Sequence, residues 1–357
     1  MIQRAVVLCA GEGSRLRPLT FAKPPHQLPV AGKPILGWAL EALHEAGVRE
    51  VALIVGHHAE AIRQYVGLGD AFGLDVQYIH QLQPLGIGHA VSLARDFVKG
   101  EPFLVYLGDN LFEHGLTGFV DSLRGNDWDA ALLLKSVEDP RRFGVAEVEG
   151  ERILRVLEKP ADPPSDLAIV GVYAFHPTVF QAIYELEPSA RGEVEITDAI
   201  QQIIKSGRPV RWSKIEGLWE DAGEPTALLR ANREWLLRLP SLVPASALDN
   251  STVEGYVGIE RGARAINSKL LGPCRIGRNS VIENSVIGPD VTIGSGCEIS
   301  NTRVSNCVIQ RNSRVRDLPG GLIDSVLGES VEVQGRPDDG DRPLSLLLSD
   351  MAHVIAR

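Results

Sequence analysis

The stretch RAVVLCAGEGSRLRP, residues 4–18, joins a run of β-branched and aliphatic residues to a glycine-rich turn with two arginines. Gly11 and Gly13 allow backbone N–H groups to approach a phosphate closely, and Arg15 adds a charge that is not lost at neutral pH. Neither common nucleotide fingerprint fits, because Leu16 stands where the dinucleotide pattern needs a third glycine and no Gly-Lys-Ser/Thr follows. The stretch therefore predicts a phosphate-binding loop after the first strand, with an ordinary structural turn as the alternative.

Further runs of β-branched and aliphatic residues continue to about residue 240. Short β-branched segments alternate with amphipathic ones, as in EVALIVG at 50–56 and HAEAIRQYVG at 58–67. This alternation is typical of parallel strands connected by crossover helices. FLVYLGD at 103–109, DAALLLKSV at 129–137 and LAIVGVYAF at 167–175 fit the same sheet. Residues 1–240 are thus predicted to form an α/β domain with a Rossmann-like, mostly parallel sheet, whose strand-end loops carry the ligand contacts.

From about residue 252 the pattern changes to an aliphatic residue every five or six positions, often followed by glycine. The clearest members are Ile276, Ile282, Ile287, Ile293 and Ile299, continued less regularly by Val304, Ile309 and Val315. So short a period predicts a parallel β-helix, in which each coil stacks its aliphatic residues on the next. We place this domain at residues 241–335. In the remaining residues, 336–357, RPDDGDRP at 336–343 is predicted to be a solvated linker, and LSLLLSDMAHVIAR at 344–357 a docking segment.

The composition narrows the possible partners. The 357 residues are 44% hydrophobic and 23% charged, which suits two globular domains. A net charge of -10 argues against nucleic acid and anionic membranes as partners, so a bound phosphate must be held locally. The N-terminal apolar run is too short to span a membrane and leads directly into the glycine turn, so we expect a cytoplasmic protein. The four cysteines form no Cys-x-x-Cys pair and predict buried thiols rather than disulfides or a zinc site.

Two aspartates follow predicted strands with a glycine beside them. Asp109 ends FLVYLGD, and Asp221 lies in GLWEDAG at 217–223. Carboxylates in such places can hold Mg²⁺ against a triphosphate, although a single aspartate of this kind is more often a turn or helix-cap residue. Lys159, fixed beside Pro160, suits a phosphate or a sugar hydroxyl, with a surface ion pair as the alternative.

Together these motifs resemble those of the sugar-1-phosphate nucleotidylyltransferases, in particular the long form of glucose-1-phosphate thymidylyltransferase with a C-terminal left-handed β-helix. The signature here is LCAGEGSRLRP at 8–18 and LPVAGKP at 28–34. In the family's order there follow PLG at 84–86, LGDN at 107–110, RFGV at 142–145, EKP at 158–160, GEVEITD at 192–198 and WEDAG at 219–223. The resemblance covers nearly the whole chain. It implies transfer of a nucleotidyl group from a nucleoside triphosphate, dTTP, to glucose 1-phosphate with release of pyrophosphate.

The resemblance also implies roles for single positions. The nucleotide would be bound by Leu8, Ala10, Gly11, Gly13, Ser14, Arg15, Gln81 and Gly86, of which Gln81 and Gly86 would face the base. The sugar phosphate would be bound by Gly144, Glu158, Lys159 and Gly171. Asp109 and Asp221 would bind Mg²⁺, and Arg15, Lys159 and Asp109 would be the catalytic residues. No general base is needed, because the attacking phosphate oxygen is already anionic.

One position departs from the family pattern. In KPPHQLP at 23–29, Pro25 stands where the family has a lysine that contacts phosphate. Lys23 lies two positions earlier, and a differently routed Pro24-Pro25 turn would let its long side chain reach the same oxygens. Either Lys23 replaces the missing lysine, or the protein is a weakly active or non-catalytic sensor of sugar nucleotides.

An acyltransferase built on the β-helix is a further alternative. No histidine occurs between His176 and His353, so the predicted β-helix lacks the usual base for that reaction. We therefore expect the β-helix to be structural and to form the interface of a homo-oligomer. Thymine and uracil differ by one methyl group, and the sequence alone leaves both bases possible.

Overall fold

The computed structural model describes residues 2–125, 127–336 and 342–356, so residues 337–341 of the predicted linker lie outside the described residues. The elements up to residue 236 are β1 (Arg4–Cys9), β2 (Pro29–Val30), β3 (Lys33–Pro34), α1 (Ile35–Glu45), β4 (Glu50–Val55), α2 (Ala59–Val66), β5 (Asp75–His80), α3 (Ile87–Ser92), α4 (Arg95–Val98), β6 (Phe103–Leu107), β7 (Asn110–Phe112), α5 (Thr117–Ser122), β8 (Ala130–Ser136), β9 (Gly144–Glu149), β10 (Arg152–Glu158), β11 (Leu167–Phe175), α6 (Thr178–Tyr184), α7 (Ile196–Lys205), β12 (Val210–Lys214), β13 (Trp219–Asp221) and α8 (Pro225–Leu236). Short 3₁₀ turns occur at Ser14–Leu16, Leu19–Phe21, Pro25–Gln27, Asp70–Phe72, Pro140–Arg142 and Ala245–Ala247.

The remaining elements are short strands. They are β14 (Leu248–Asp249), β15 (Thr252–Glu254), β16 (Val257–Ile259), β17 (Arg264–Ile266), β18 (Lys269–Leu271), β19 (Cys274–Ile276), β20 (Val281–Glu283), β21 (Val286–Ile287), β22 (Val291–Ile293), β23 (Glu298–Ser300), β24 (Arg303–Ile309), β25 (Arg314–Arg316), β26 (Leu322–Leu327), β27 (Glu332–Gln334), β28 (Leu347–Leu348) and β29 (His353–Ile355). None of the helices in the described ranges has the length and apolar character required to cross a membrane.

The chain forms two compact units that do not follow its order. The first comprises Met1–Glu12 and Leu36–Glu220, and the second comprises Gly13–Ile35 and Asp221–Arg357. The segment that begins at Gly13 therefore belongs to the second unit, although β1 before it and most of α1 after it belong to the first. The domain limits 1–240, 241–335 and 336–357 stay predictions.

The first unit is built on a nine-stranded sheet in the order β5-β4-β1-β6-β11-β8-β12-β10-β9. The pairs β1–β4, β1–β6, β4–β5 and β8–β12 are parallel. Because β1, β4, β5 and β6 share one direction, their carboxyl ends meet at one edge of the sheet. β11 runs antiparallel to β6 and β8. The predicted α/β fold with a Rossmann-like sheet is confirmed, with β11 as an antiparallel strand inside it.

Both faces of this sheet are covered. Successive residues of a strand point to opposite faces, so Val7 packs in one apolar cluster with Leu40, while Val6 packs in the other with Val105 and Phe180. This explains why the strands are runs of apolar residues rather than alternating ones. The sheet edge that carries the strand ends is thus held by a core on each side.

The second unit contains a parallel β-helix. Arg264 of β17 pairs with Val281 of β20, and Val281 pairs with Glu298 of β23, so one coil takes 17 residues, as 281 minus 264 and 298 minus 281 both show. Three repeats of five to six residues fill one such coil. All eight aliphatic residues of the predicted series are at most 1% exposed. The predicted parallel β-helix is confirmed, and its left-handedness stays a prediction.

Asparagines form one corner of the β-helix. Asn267, Asn284 and Asn301 occupy equivalent corners with φ angles of 47°, 46° and 53°. Asparagine tolerates this left-handed conformation better than most residues. The side-chain amide of Asn284 donates to Oδ1 of Asn301 at 3.1 Å, and that of Asn301 donates to Oδ1 of Asp317 at 2.7 Å. The corners are therefore hydrogen-bonded from coil to coil.

Replacing Ile299 by alanine is expected to lower the free energy of unfolding of the β-helix by about 2–5 kcal/mol, because it opens a cavity in the stacked aliphatic core. Ile299 is 1% exposed, whereas Ile355 of β29 is 50% exposed. The control Ile355→Ala should cost less than about 1 kcal/mol. Urea unfolding followed by circular dichroism compares the two variants, and equal shifts would contradict the buried ladder.

Candidate active site

The ends of β1, β4 and β6 bring several predicted site residues together in the first unit. The backbone N–H of Gly108 donates to the carbonyl of Leu8 at 3.0 Å, which places Asp109 beside the end of β1. Ala10 lies against Gly56, which follows β4, and a Cβ on Gly56 would lie 2.8 Å from the carbonyl oxygen of Ala10. Leu8, Ala10 and Asp109 therefore share one edge of the sheet.

Asn110 orients Asp109. Its Nδ2 donates to Oδ1 of Asp109 at 2.9 Å, and its Oδ1 accepts a hydrogen bond from Nε1 of Trp219 at 2.6 Å. The hydroxyl of Tyr106 donates to the carbonyl of Asn110 at 2.8 Å. Burial, and secondarily the charge of Asp109, raises the pKa of the Tyr106 hydroxyl and of the Cys9 thiol. Sequence reasoning assigned no role to Asn110, although it stands in the LGDN motif beside Asp109.

Gln81 and Gly86, predicted to face the base, are neighbours. Gln81 follows β5, and its Nε2 lies 3.5 Å from the carbonyl oxygen of Gly86 and 2.9 Å from Nδ1 of His89. Gly86 has a φ of 100°, and a Cβ there would lie 2.8 Å from the carbonyl oxygen of Val194. Only glycine fits this position without displacing the backbone. His89, which sequence reasoning missed, holds the Gln81 amide in place.

Gly144, Glu158 and Lys159 lie together at one end of the β9–β10 pair. Glu158 of β10 is the register partner of Gly144 of β9. Oε2 of Glu158 accepts a hydrogen bond from the Thr197 hydroxyl at 3.2 Å. A Cβ on Gly144 would lie 2.9 Å from Cγ2 of Thr197. The backbone N–H of Lys159 donates to the carbonyl of Phe143 at 3.0 Å, and its Nζ lies 3.6 Å from Oε1 of Glu158.

Gly171 lies at an irregularity of β11. The pairing of β11 with β8 shifts register between Ile169 and Tyr173. Gly171 has a φ of 73°, and a Cβ there would lie 2.9 Å from Cδ1 of Leu107. The absence of a side chain lets β11 pass close to the end of β6, which carries Asp109 two residues later.

Arg191 connects two carboxylates beside this group, and sequence reasoning did not identify it. Its NH2 group lies 2.7 Å from Oε1 of Glu195 and 3.2 Å from Oε1 of Glu158. Partial burial lowers the pKa of Arg191, but the hydrogen bond and charge of Glu195 outweigh this, so the pKa is raised. The GEVEITD motif contains Glu195 and Thr197, and only the folded structure brings both near Glu158.

Arg15 and Asp221 lie together in the second unit. NH2 of Arg15 is 3.6 Å from Oδ2 of Asp221, and NH1 is 3.2 Å from Oε1 of Glu224. Gly13, with a φ of 62°, precedes the 3₁₀ turn Ser14–Leu16 and thereby directs Arg15. The Arg15 side chain remains 53% exposed. The predicted phosphate cation and a predicted metal ligand thus form an ion pair in this structure.

Lys23 does not replace the lysine missing at position 25. Its Nζ lies 2.7 Å from Oε1 of Glu329 and 3.2 Å from Oδ2 of Asp350, and it donates to Oε1 of Gln310 at 2.7 Å. Only 9% of the side chain is exposed. The hypothesis that Lys23 reaches the phosphates is therefore wrong, because β-helix side chains enclose its ammonium group.

Pro25 packs against the glycine turn at Gly13. A Cβ on Gly13 would lie 2.9 Å from Cγ of Pro25 and 3.0 Å from Cγ2 of Thr20. The hydroxyl of Thr20 donates to the carbonyl of Gly13 at 2.8 Å. Pro25 thus supports the loop by van der Waals contact where the family pattern has a charge.

The chemistry of the two predicted metal ligands suits a hard cation. Asp109 belongs to the first unit and Asp221 to the second. Within the ranges that the structure describes, no group of three or more His, Cys, Asp or Glu residues is arranged to hold a metal ion. Mg²⁺ at nucleotide sites commonly uses one or two carboxylates together with substrate phosphates, so each of these carboxylates is a suitable ligand type for such an ion.

Comparisons with known proteins agree on one family. A family model described as nucleotidyl transferase matches residues 4–237. The chain is 40% identical over 339 residues to the glucose-1-phosphate thymidylyltransferase of Streptomyces griseus, covering 94% of each protein. It is 37% identical over 340 residues to the low-salt glycan biosynthesis nucleotidyltransferase of Haloferax volcanii, covering 94% of this chain and 95% of that protein. The solved structure of a UDP-glucose pyrophosphorylase complexed with UDP-glucose aligns with a TM-score of 0.62 and 25% identity, over 67% of this chain and 100% of that one.

Gly11→Ala is expected to keep the fold and weaken nucleoside triphosphate binding about tenfold or more, because the added methyl occupies the space through which a phosphate approaches the backbone. Apart from the adjacent backbone, no described atom lies within 4 Å of a Cβ built on Gly11, and the same holds for Gly118 of α5, which serves as the control. Thermal melting and calorimetric titration of both variants test this. Unchanged nucleotide affinity in Gly11→Ala would show that no phosphate approaches there.

The Glu329 carboxylate is expected to make stability depend on acid pH. Burial raises the pKa of Glu329, but hydrogen bonds from Lys23 and Arg311 outweigh this and bring its pKa below the ordinary value of 4.5. The carboxylate therefore stabilises the fold above that pH, and this contribution is lost as the pH falls through the lowered pKa. The difference in urea midpoint between wild type and Glu329→Gln should be largest near neutral pH and shrink below about pH 4.5. A difference that stays constant down to about pH 3 would contradict this.

Proposed function

Because the chain belongs to the nucleotidyl transferase family, we propose that it transfers the thymidylyl group of dTTP to glucose 1-phosphate, giving dTDP-glucose and pyrophosphate. The transfer of a nucleotidyl group to a sugar 1-phosphate follows from the family and from relatives similar over nearly the whole chain. The choice of thymine and glucose rests on similarity to the Streptomyces griseus enzyme over 94% of both proteins.

The observation that carries this proposal is the polar group around Glu158. Gly144 and Gly171 let the backbone pack closely at the strand ends near Glu158 and Asp109, and Lys159 adds a cation next to Glu158. A carboxylate that accepts hydrogen bonds suits sugar hydroxyls, and an ammonium suits a phosphate. We assign the sugar to Glu158 and Gly144 and its phosphate to Lys159.

In the proposed reaction the sugar-phosphate oxygen attacks the α-phosphorus of dTTP in line, and the bond from the α-phosphorus to the bridging oxygen of pyrophosphate breaks. No proton is removed, because the attacking oxygen is already ionised at neutral pH. The chain's task is therefore to hold two anions together and to stabilise charge on the leaving pyrophosphate.

Arg15 is the residue we propose for that stabilisation. It is exposed enough to exchange Asp221 and Glu224 for phosphate oxygens, and its planar group makes paired hydrogen bonds with them. The backbone at Ala10, Gly11 and Gly13 would approach the same phosphates, and Gln81 and Gly86 would contact the base.

Members of this family generally use a divalent metal ion. We propose Mg²⁺, held by Asp109 and Asp221, where it would neutralise charge on the triphosphate. Asn110 supports this role, because its hydrogen bond fixes one oxygen of Asp109 and leaves the carboxylate in a single orientation.

A uracil nucleotide is the second candidate substrate, motivated by the similarity to a UDP-glucose pyrophosphorylase. A sensor that binds sugar nucleotides without making them is the alternative that Pro25 raised. The presence of Arg15, Lys159, Asp109 and Asp221 together argues against the sensor, because binding alone does not require two metal carboxylates.

Purified protein with Mg²⁺, glucose 1-phosphate and each nucleoside triphosphate in turn should release pyrophosphate fastest with dTTP. Asp109→Asn should lower kcat/KM by about 100-fold or more, because it removes a charge at the reacting phosphates. Asp121→Asn is the matched control, since Asp121 is a half-exposed residue of α5 that pairs with Arg124. Faster pyrophosphate release with UTP than with dTTP would show that the preferred base is uracil. Tight nucleotide binding without pyrophosphate release from any of several sugar phosphates would establish the sensor.

A further inference from the structure

Lys23 is held by three side chains from different coils of the β-helix. Gln310 follows β24, Glu329 follows β26 and Asp350 lies between β28 and β29. Arg311 also contacts Glu329, with Nε 2.6 Å from Oε2. The Lys23 cluster, defined as these five residues, contains two cations and two anions and is therefore neutral overall.

Lys23 is connected to the phosphate loop by a short and stiff segment. Pro24 has its φ fixed by its ring and is extended, with φ of -66° and ψ of 151°. Pro25 begins the next 3₁₀ turn, and its ring contacts Gly13. Gly13 in turn starts the turn that carries Ser14 and Arg15. The backbone at Lys23 is therefore linked to Gly13 through two prolines with fixed φ angles.

Stability alone does not explain a charged cluster at this place. Replacing a buried ion pair by apolar residues of similar size is often neutral or stabilising. Polar partners, however, fix the direction of the side chain. Hydrogen bonds of 2.7 Å to both Gln310 and Glu329 hold the Lys23 ammonium in one position. A fixed position is of value where the same segment must present Gly13 and Arg15 to a ligand.

We propose that Lys23 is a positioning residue for nucleotide binding, and that Glu329 and Asp350 hold it, so that the β-helix determines the geometry of the phosphate loop. This inference deepens the proposed function and rests on it for the identity of the nucleotide. It also gives the β-helix a part in substrate binding in addition to its structural role.

The test compares Lys23→Met, Lys23→Arg and Glu329→Gln in the full chain. We expect Lys23→Met to raise the Kd for dTTP, measured by calorimetry, about tenfold or more, because a small displacement of a positioned group is costly. In steady-state assays the KM for dTTP should rise, while the KM for glucose 1-phosphate stays within about threefold of wild type. Glu329→Gln should act in the same direction, and Lys23→Arg should restore part of the affinity by keeping the charge.

Lys269→Met is the matched control. Lys269 of the β-helix pairs with Glu254 at 2.8 Å and is 43% exposed, and neither residue belongs to the Lys23 cluster or to the segment 13–35. Its loss should leave the Kd for dTTP unchanged. A double variant, Lys23→Met with Glu329→Gln, should bind dTTP no worse than the weaker single variant, because both changes break the same contact.

The proposal is overturned if Lys23→Met and Glu329→Gln melt at lower temperature yet bind dTTP like wild type. If Lys23→Met does not fold, Asp350→Asn provides the comparison, because it removes one partner and keeps the Lys23–Glu329 pair. A wild-type protein that binds dTTP but releases no pyrophosphate refutes the proposed function, and the binding comparison still decides the positioning role. A wild-type protein that binds neither dTTP nor UTP refutes both.

Discussion

The second unit depends on how the buried ammonium group of Lys23 is neutralised. A charge removed from water is stable only with opposite charges at hydrogen-bond distance, and Glu329 and Asp350 supply them to Lys23. These ion pairs are among the contacts that join residues 13–35 to the second unit, as is the hydrogen bond from the Ala31 N–H to Oδ1 of Asn232. Arg15 is thereby kept in the same unit as Asp221 and Glu224. The predicted phosphate loop is thus divided between the two units: its residues up to Glu12 belong to the first unit, and those from Gly13 belong to the second.

Glycine residues matter as much to this site as charged residues do. At Gly86, Gly144 and Gly171, a single added carbon would lie within 3.0 Å of a neighbouring atom. Backbone and side chains can therefore approach one another more closely there than any other residue allows. Glu158 and Asp109 are brought to the ends of their strands beside these positions, and Thr197 and Asn110 fix their carboxylates. The polar groups are precise because the packing around them is tight.

The sequence predicted those features that depend on local periodicity. The apolar runs located the strands of the sheet, and the aliphatic repeat located all eight buried residues of the β-helix series, because both patterns follow from which side chains face a core. It did not show that β11 is antiparallel. A buried apolar run looks the same in either direction, and β11 becomes antiparallel only through its pairing with β6 and β8. The prediction for Lys23 was wrong because its partners are more than 280 residues away. Arg191 and His89 have nearer partners, at 4 and 33 positions for Arg191 and 8 for His89, but contacts of loop side chains leave no periodic pattern in the sequence.

The separation of Lys23 from its partners has a consequence for synthesis in the cell. Glu329 follows Lys23 by 306 residues. At about 5–20 residues per second, roughly 15–60 s pass between translation of the lysine and of its first carboxylate partner. During that interval the β1 strand and its sheet can form, while Lys23 lacks the two carboxylates that neutralise it. If Lys23 positions the loop as proposed, the nucleotide site is complete only when the coils that carry Glu329 and Asp350 have been made.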